Sequence, residues 1–211
     1  MKLQMRKEKR HQVATTNLKL YKNVIKRVLD ISVSLVTLIL LLLPFLIISL
    51  LIKLDSKGPI FFRQIRMGKD NIPFYILKFR SMYVTAPHQT ATNALANPGQ
   101  HVTPIGKFLR KMSIDELPQF INVIKGDMSI VGPRPLILSE KKVLDLRTEN
   151  GADTVLPGIT GLAQVNGRDE LSDSKKAKFD GYYAANMSLK LDFKIVVKTF
   201  SDVLHERGIK E

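Results

Sequence analysis

The sequence predicts an α+β, mainly helical protein: an N-terminal re-entrant membrane helix plus a cytosolic globular domain with a small β-hairpin and membrane-surface amphipathic helices. Three observations predict it. The 22 residues Ile31 to Ile52 carry no charge, are mostly Leu, Ile and Val, and contain Pro44. Two aromatic, β-branched stretches then flank the turn Gly68-Lys69-Asp70-Asn71. Finally, Leu189, Phe193, Val196, Val197, Phe200, Val203 and Leu204 recur at helical spacing with lysines between them.

The N-terminal arm, residues 1–25, follows from charge. The chain has 211 residues, 33 Lys and Arg against 19 acids, and a net charge of +14. Such an excess faces nucleic acid, anionic lipid or a phosphorylated substrate. Nine of the basic residues fall in the first 27 positions, beside one acid, Glu8. A basic arm running into an uncharged apolar segment belongs beside an anionic membrane, so anionic lipids are expected partners and nucleic acid is not. There is no cysteine, which excludes disulfides, zinc-thiolate sites and thiol nucleophiles.

Residues 26–54 form the membrane helix. A straight helix of that apolar run would be roughly 33 Å long, so an ordinary span stays open. Two features favour a re-entrant path. Pro44 removes a backbone donor and kinks the run into pieces, Ile31–Leu43 and Phe45–Ile52, of about 20 Å and 12 Å. Positive charge also follows the segment (Lys53, Lys57, Arg63, Arg66, Lys69) almost as densely as it precedes it, which fits both ends on the cytoplasmic side. Asp30 at the entrance needs a partner, and Arg27 is three residues back on the same helical face.

Residues 55–211 read as a compact, mainly helical domain with short strands. Pro59–Arg66 and Pro73–Met82 are the hairpin strands. The stretch 84–103, rich in Ala, Thr, Asn, Gln, Pro and Gly, reads as a mobile loop. Thr103-Pro104 starts a short helix that runs to about Lys111. Ser113, with Glu116 at the capping-box spacing, starts another that continues through Ile124 and stops at Gly126. The last helix either covers the core or lies on the membrane surface.

Three segments carry candidate chemistry. In Ser113-Ile114-Asp115-Glu116-Leu117-Pro118-Gln119 two adjacent carboxylates sit where a helix begins. One could attack phosphorus while the other holds a divalent metal, for which magnesium suits; Glu116 might equally do no more than cap the helix. In Val131-Gly132-Pro133-Arg134-Pro135 two prolines stiffen a loop around Arg134, whose planar fork suits phosphate, unless the loop is a plain turn with a solvated arginine. A strand through Lys78, Arg80 and Met82 puts all three on one face, as a phosphate patch or a wet sheet face. The Gly-rich segment Leu156 to Arg168, with Gln164 and Arg168, suggests a loop whose backbone approaches a ligand. The four histidines show no ligand spacing.

In combination these segments resemble the bacterial sugar transferase family, the small monotopic phosphoglycosyl transferases, or polyprenyl-phosphate hexose-1-phosphate transferases. The likeness runs from about Lys26 to Thr199. It is carried by Lys26-Arg27 with Asp30, the interrupted apolar helix, Phe62-Arg63-Gln64 with Arg66 and Gly68, and Lys78-Phe79-Arg80-Ser81-Met82. Leu109-Arg110, Ser113 to Gln119, Asn122, Lys125 to Ser129, Val131 to Pro135, Pro157 to Arg168, and Asp180 with Tyr183 complete it in order.

The resemblance implies that Asp115 attacks the sugar-bearing phosphate of a UDP-sugar, releasing UMP and leaving a phosphosugar-aspartyl intermediate. Polyprenyl phosphate, typically undecaprenyl phosphate, then accepts the phosphosugar, starting exopolysaccharide, capsule or glycoconjugate synthesis. It implies Mg²⁺ on Glu116, and phosphate or substrate binding by Arg134, Arg80 and Arg110, with Lys78, Gln164 and Arg168 beside them. It implies a helix break at Pro44, an anchor at Lys26, Arg27 and Asp30, and a monotopic seat on the cytosolic face of the bacterial cytoplasmic membrane; a homodimer is compatible with it. Three positions depart from what relatives often carry: Leu43 stands where serine precedes the proline, Leu162 where tryptophan is common, and Gly99-Gln100-His101 where an arginine often occurs. Two alternatives remain at this stage: a catalytically silent scaffold of a polysaccharide assembly, and a transferase of ordinary glycosyl type that releases UDP.

Overall fold

Pro44 has no N–H to give the carbonyl of Leu40, and the apolar run breaks there. The result is two helices, α1 (Lys26–Leu40) and α2 (Leu42–Asp55), bent by 63°. Leu41 is the hinge, with φ −88° and ψ 2°. The break therefore falls three residues before the proline and not at it, because the lost bond is the one reaching back to Leu40. The computed structural model describes residues 20–87, 98–167 and 170–205. Among them no single helix is long and apolar enough to cross a membrane; α1 and α2 meet that test only as a bent pair.

The faces of α1 are inverted relative to a helix in water. Lys26, Asp30 and Ser34, spaced four apart, are buried against the rest of the protein. Val28, Val33, Val36, Ile39 and Leu40 on α1, and Leu43, Leu46, Ile47 and Leu50 on α2, are exposed. Contiguous exposed aliphatic surface on this scale marks an interaction surface, for a membrane or for another protein.

The buried stripe holds α1 to the domain. Lys26 Nζ lies 2.7 Å from Asp192 Oδ2 and 4.0 Å from Asp30 Oδ2. Asp30 also accepts hydrogen bonds from the Ser129 hydroxyl (2.7 Å) and the Ile130 N–H (3.2 Å). The expected Arg27–Asp30 pair is not formed. Arg27 instead donates to the carbonyls of Val123 (2.6 Å) and Ile124 (3.0 Å) at the C-terminal end of a short helix, where backbone donors run out.

After α2 the chain forms an antiparallel hairpin of β1 (Phe61–Met67) and β2 (Pro73–Phe79). Both strands are shorter than their sequence pattern suggested. Asp70 and Asn71 take the left-handed backbone of the turn (φ 53° and 56°), which short polar side chains tolerate. The register pairs Phe62 with Lys78, Gln64 with Ile76 and Arg66 with Phe74, so these six share one face. Asn122 closes the free edge of β2, donating to Tyr75 O (2.7 Å) and accepting from Leu77 N (2.9 Å).

The predicted loop at 84–103 is tied at its base by Met82 pairing with Val102; its centre, 88–97, lies outside the described residues, as does most of the basic arm. Thr103 caps α3 (Pro104–Lys111), its hydroxyl accepting from Gly106 N at 3.0 Å. The expected capping box at Ser113 is absent. Ser113 is left-handed (φ 55°) with no side-chain cap bond, and Ile114–Glu116 is a single 3₁₀ turn. Pro118 explains this, since without an N–H it cannot bond back to Ile114, and the α-helix α4 begins only at Gln119 (Gln119–Lys125). Gly126, at φ 98°, ends α4 as expected.

The rest is a helical layer with a two-strand parallel ladder. β3 (Ser129–Val131) pairs with β4 (Gly158–Thr160), and α5 (Lys141–Asn150) lies between them in sequence. α6 (Asp173–Asn186) packs against α5, and α7 (Leu189–Leu204) follows. α7 covers the core and also presents an apolar stripe outward: Asp192 and Ile195 are buried, while Leu189, Phe193, Val197 and Phe200 are exposed. The architecture is α+β and mainly helical, as expected.

Candidate active site

The 3₁₀ turn after Ser113 places Asp115 inside the protein and Glu116 at the edge of a cleft. Asp115 is buried, and burial pushes its carboxyl up from 3.8 to about 6. Glu116 raises it further, while the charges of Lys78 and Arg110 oppose the shift. Glu116 Oε1 is 2.6 Å from Lys78 Nζ and 3.9 Å from Arg134 Nη1. Lys78 reaches it from the inner face of the hairpin, and Arg134 from the loop that follows β3.

That loop is fixed from behind. Arg147 on α5 donates to the Arg134 carbonyl (2.8 Å) and grips Asp180 on α6 through Nε (2.9 Å) and Nη2 (2.7 Å). Burial raises the Asp180 carboxyl, against the pull of Arg147. Beneath the loop, β3 and β4 approach so closely that a side chain at Gly132 would meet Leu156 O at 2.3 Å, and one at Gly158 would meet Gly132 N at 2.1 Å. The cleft is lined by Arg66, Ile76, Lys78, Glu116, Gln119, Arg134, Pro135, Gly158 and Ile159.

Of the residues singled out in the sequence, Asp115, Glu116, Lys78, Arg110 and Arg134 come together here. Gln164 does not line the cleft; it is buried behind it, donating to Ile159 O at 2.9 Å and bracing the β4 loop. Arg80 is turned elsewhere. Its guanidinium donates to the carbonyls of Ile52 (3.1 Å), Ser56 (2.7 Å) and Lys57 (2.6 Å), capping the C-terminal end of α2, so its fork is filled by backbone and not open to phosphate. Arg168 lies outside the described residues. Lys26, Arg27 and Asp30 dock α1 onto the domain. The sequence reading assigned no role to Arg66 or Gln119, although β1 alternation combined with the hairpin register puts Arg66 on the face of Lys78.

Among the described residues no three His, Cys, Asp or Glu side chains converge as a ready metal cage. The donor set fits magnesium of the substrate-assisted kind, which takes one or two carboxylates and completes its shell with water and phosphate oxygens. Glu116, at the cleft edge, is the carboxylate so placed.

The model of a family described as "Bacterial sugar transferase" matches residues 21–206. An uncharacterised sugar transferase, EpsL, of Bacillus subtilis (strain 168) is 40% identical over 190 residues, covering 89% of this chain and 91% of that protein. A UDP-glucose:undecaprenyl-phosphate glucose-1-phosphate transferase of Klebsiella pneumoniae is 43% identical over 183 residues, 83% of this chain but 39% of the relative. A UDP-N-acetylgalactosamine-undecaprenyl-phosphate N-acetylgalactosaminephosphotransferase of Aeromonas hydrophila is 42% identical over 194 residues, 88% of this chain and 45% of the relative. The chain thus spans nearly all of one relative and under half of the other two.

Proposed function

Because the chain belongs to the bacterial sugar transferase family, we propose that it is a phosphoglycosyl transferase that moves a sugar-1-phosphate from a UDP-sugar to undecaprenyl or another polyprenyl phosphate. The observation that carries this reading is a buried carboxylate, Asp115, beside a cleft edged by Glu116, Lys78 and Arg134, with Arg110 close enough to act on its charge.

In the first step an Asp115 carboxylate oxygen attacks the sugar-bearing phosphorus. A new O–P bond forms, the bond to the UMP oxygen breaks, and UMP leaves with the electron pair. In the second step an oxygen of the lipid phosphate attacks the same phosphorus, giving a lipid diphosphosugar and restoring Asp115. Arg134 and Lys78 hold phosphate oxygens through both steps, and Arg110 favours the ionised nucleophile. Glu116 would hold Mg²⁺, whose charge would neutralise the donor diphosphate as UMP leaves.

The cleft between β1, β2 and the 132–135 loop sits on the domain that α1 carries, and the inverted polarity of α1 and α2 supports seating that domain at the cytosolic face of the bacterial cytoplasmic membrane. The 63° bend supports a re-entrant path, and the outward stripe of α7 supports contact with the bilayer surface. In this reading 26–54 is the membrane element and 55–211 the catalytic domain.

Incubating the purified protein with undecaprenyl phosphate, Mg²⁺ and a panel of UDP-sugars should release UMP with one or more of them. Release of UDP would overturn the phosphosugar mechanism. The native absence of cysteine permits a topology test. With cysteines placed singly at Leu20 and at Lys57, an impermeant maleimide should label both from the cytosolic side of sealed vesicles; labelling from opposite sides would make the pair a span. A third expectation concerns pH. Asp115 must be ionised to attack, so kcat/KM for the nucleotide sugar should fall about tenfold per unit below a pH of about 6. A flat profile down to pH 4 would remove Asp115 as the titrating group.

A further inference from the structure

Arg66 lies on β1 in the register position opposite Phe74, on the same hairpin face as Ile76 and Lys78, and with both of them it lines the cleft. We propose that Arg66 is a further phosphate-binding residue of this site, holding phosphate oxygens across the cleft from Arg134. The proposal rests on the phosphoglycosyl transferase reading for the identity of the phosphate, and on the geometry for its existence.

The partners of Arg66 support it. Other buried arginines are filled at short range: Arg147 grips Asp180 at 2.7 and 2.9 Å, and Arg80 has two carbonyls at 2.6 and 2.7 Å. Arg66 has one short bond, Nη2 to Gln64 Oε1 at 2.7 Å. Its contact to Pro135 O is long at 3.3 Å, and its nearest acid, Glu140, is 3.9 Å away. Its Nε is buried with no hydrogen-bond partner, as is the Nε of Arg80, so the difference between the two lies at the η nitrogens. A guanidinium whose side chain is 14% exposed and whose nearest carboxylate stands off at 3.9 Å is an unfinished site, since a largely buried charge is costly unless it is closely paired.

Charge completes the picture. Three cations (Arg66, Lys78, Arg134) line the cleft against one acid, Glu116, whose carboxylate is already held by Lys78 at 2.6 Å. Burial and the neighbouring Arg134 charge lower Arg66 to about 10. An anion between the two guanidinium groups would reverse both effects, and a planar fork suits tetrahedral phosphate oxygens. Two phosphates visit this cleft in the proposed reaction, the diphosphate of the donor and the phosphate of the lipid.

The test uses Arg66→Gln and Arg66→Lys in the full chain, with Glu140→Gln as a control that removes the distant acid and leaves the cleft. Binding of inorganic pyrophosphate with Mg²⁺ is measured by calorimetry, apart from turnover. Arg66→Gln should weaken it roughly 10- to 100-fold, Arg66→Lys less, and Glu140→Gln hardly at all. Turnover then identifies the source. In a double displacement, a loss confined to kcat/KM for the UDP-sugar assigns the donor diphosphate, and a loss confined to the lipid phosphate assigns the acceptor. Unchanged pyrophosphate affinity, with both kinetic constants and thermal stability falling together, would make Arg66 a strut for the 135 loop and overturn the proposal. Pyrophosphate binding that depends on Arg66 in a protein that makes no UMP would preserve it and defeat the parent reading.

Discussion

Asp115→Asn should abolish UMP release, with a fall of roughly 10⁴-fold or more, and at the same time make the protein more stable. The first effect follows from removing the attacking oxygen, because knockouts of a covalent nucleophile remove most of an enzyme's rate enhancement. Intact-mass measurement should show a phosphosugar adduct on the wild type, trapped without lipid acceptor, and none on the variant. The second effect follows from linkage. The folded value of about 6 lies above the ordinary 3.8, so the folded state holds this proton more tightly than the unfolded chain. The stability this confers is complete below about pH 4 and is lost as pH rises through about 6. At pH 8 the ionised, buried carboxylate costs about 3 kcal/mol, at 1.36 kcal/mol per unit. Asparagine carries no such cost, so thermal unfolding at pH 8 should shift upward in the variant and the gap should close near pH 4. An active Asn variant would move the nucleophile elsewhere, and an unchanged melting curve at pH 8 would mean the carboxylate is better solvated than its burial implies.

Asp192→Ala should produce the largest loss of stability, about 3–5 kcal/mol, the usual result of leaving a buried charge without its partner. Asp192 receives Tyr21 Oη at 2.6 Å, Lys26 Nζ at 2.7 Å and Tyr183 Oη at 2.8 Å, all buried. Burial raises both phenols well above their ordinary range, so they remain neutral donors that need an acceptor. Removing the carboxylate strands the Tyr21 phenol and leaves the Lys26 ammonium only Asp30 at 4.0 Å, although Tyr183 keeps the Val131 carbonyl at 2.9 Å. At about 2–4 °C per kcal/mol for a chain of this size, the melting point should fall by about 10 °C or more in the same detergent. A fall under about 2 °C would show that water reaches the network.

Much of the fold was legible because it is written in single residues. Pro44 breaks the apolar run, Thr103-Pro104 starts α3, Gly126 ends α4, and the 68–71 turn sets the hairpin. Asp115, Glu116, Lys78 and Arg134 were singled out by adjacent carboxylates, strand alternation and flanking prolines, and Arg110 by the family resemblance; the fold brings them close together. What escaped depends on partners distant in sequence. β3 and β4 are three residues each, too short for any periodicity, and their pairing spans the whole of α5. Ser113 has the look of a capping box, yet Pro118 four residues after Ile114 forbids the helix that the box would cap. Arg80 read as a phosphate contact and Arg27 as the partner of Asp30 because nothing local reveals that they face the carbonyl ends of other helices.

The Lys26–Asp192 contact joins residues 166 positions apart. At about 5–20 residues per second, a ribosome needs roughly 10–30 s to travel that distance. For all of that interval α1 exists with Lys26 lacking the carboxylate it will later meet, while Asp30 waits only the 99 residues to Ser129. With the membrane seat proposed above, insertion precedes docking, and the ion pair closes only once α7 has been made. Nascent chains arrested before Asp192 should accumulate as membrane-bound but protease-sensitive species.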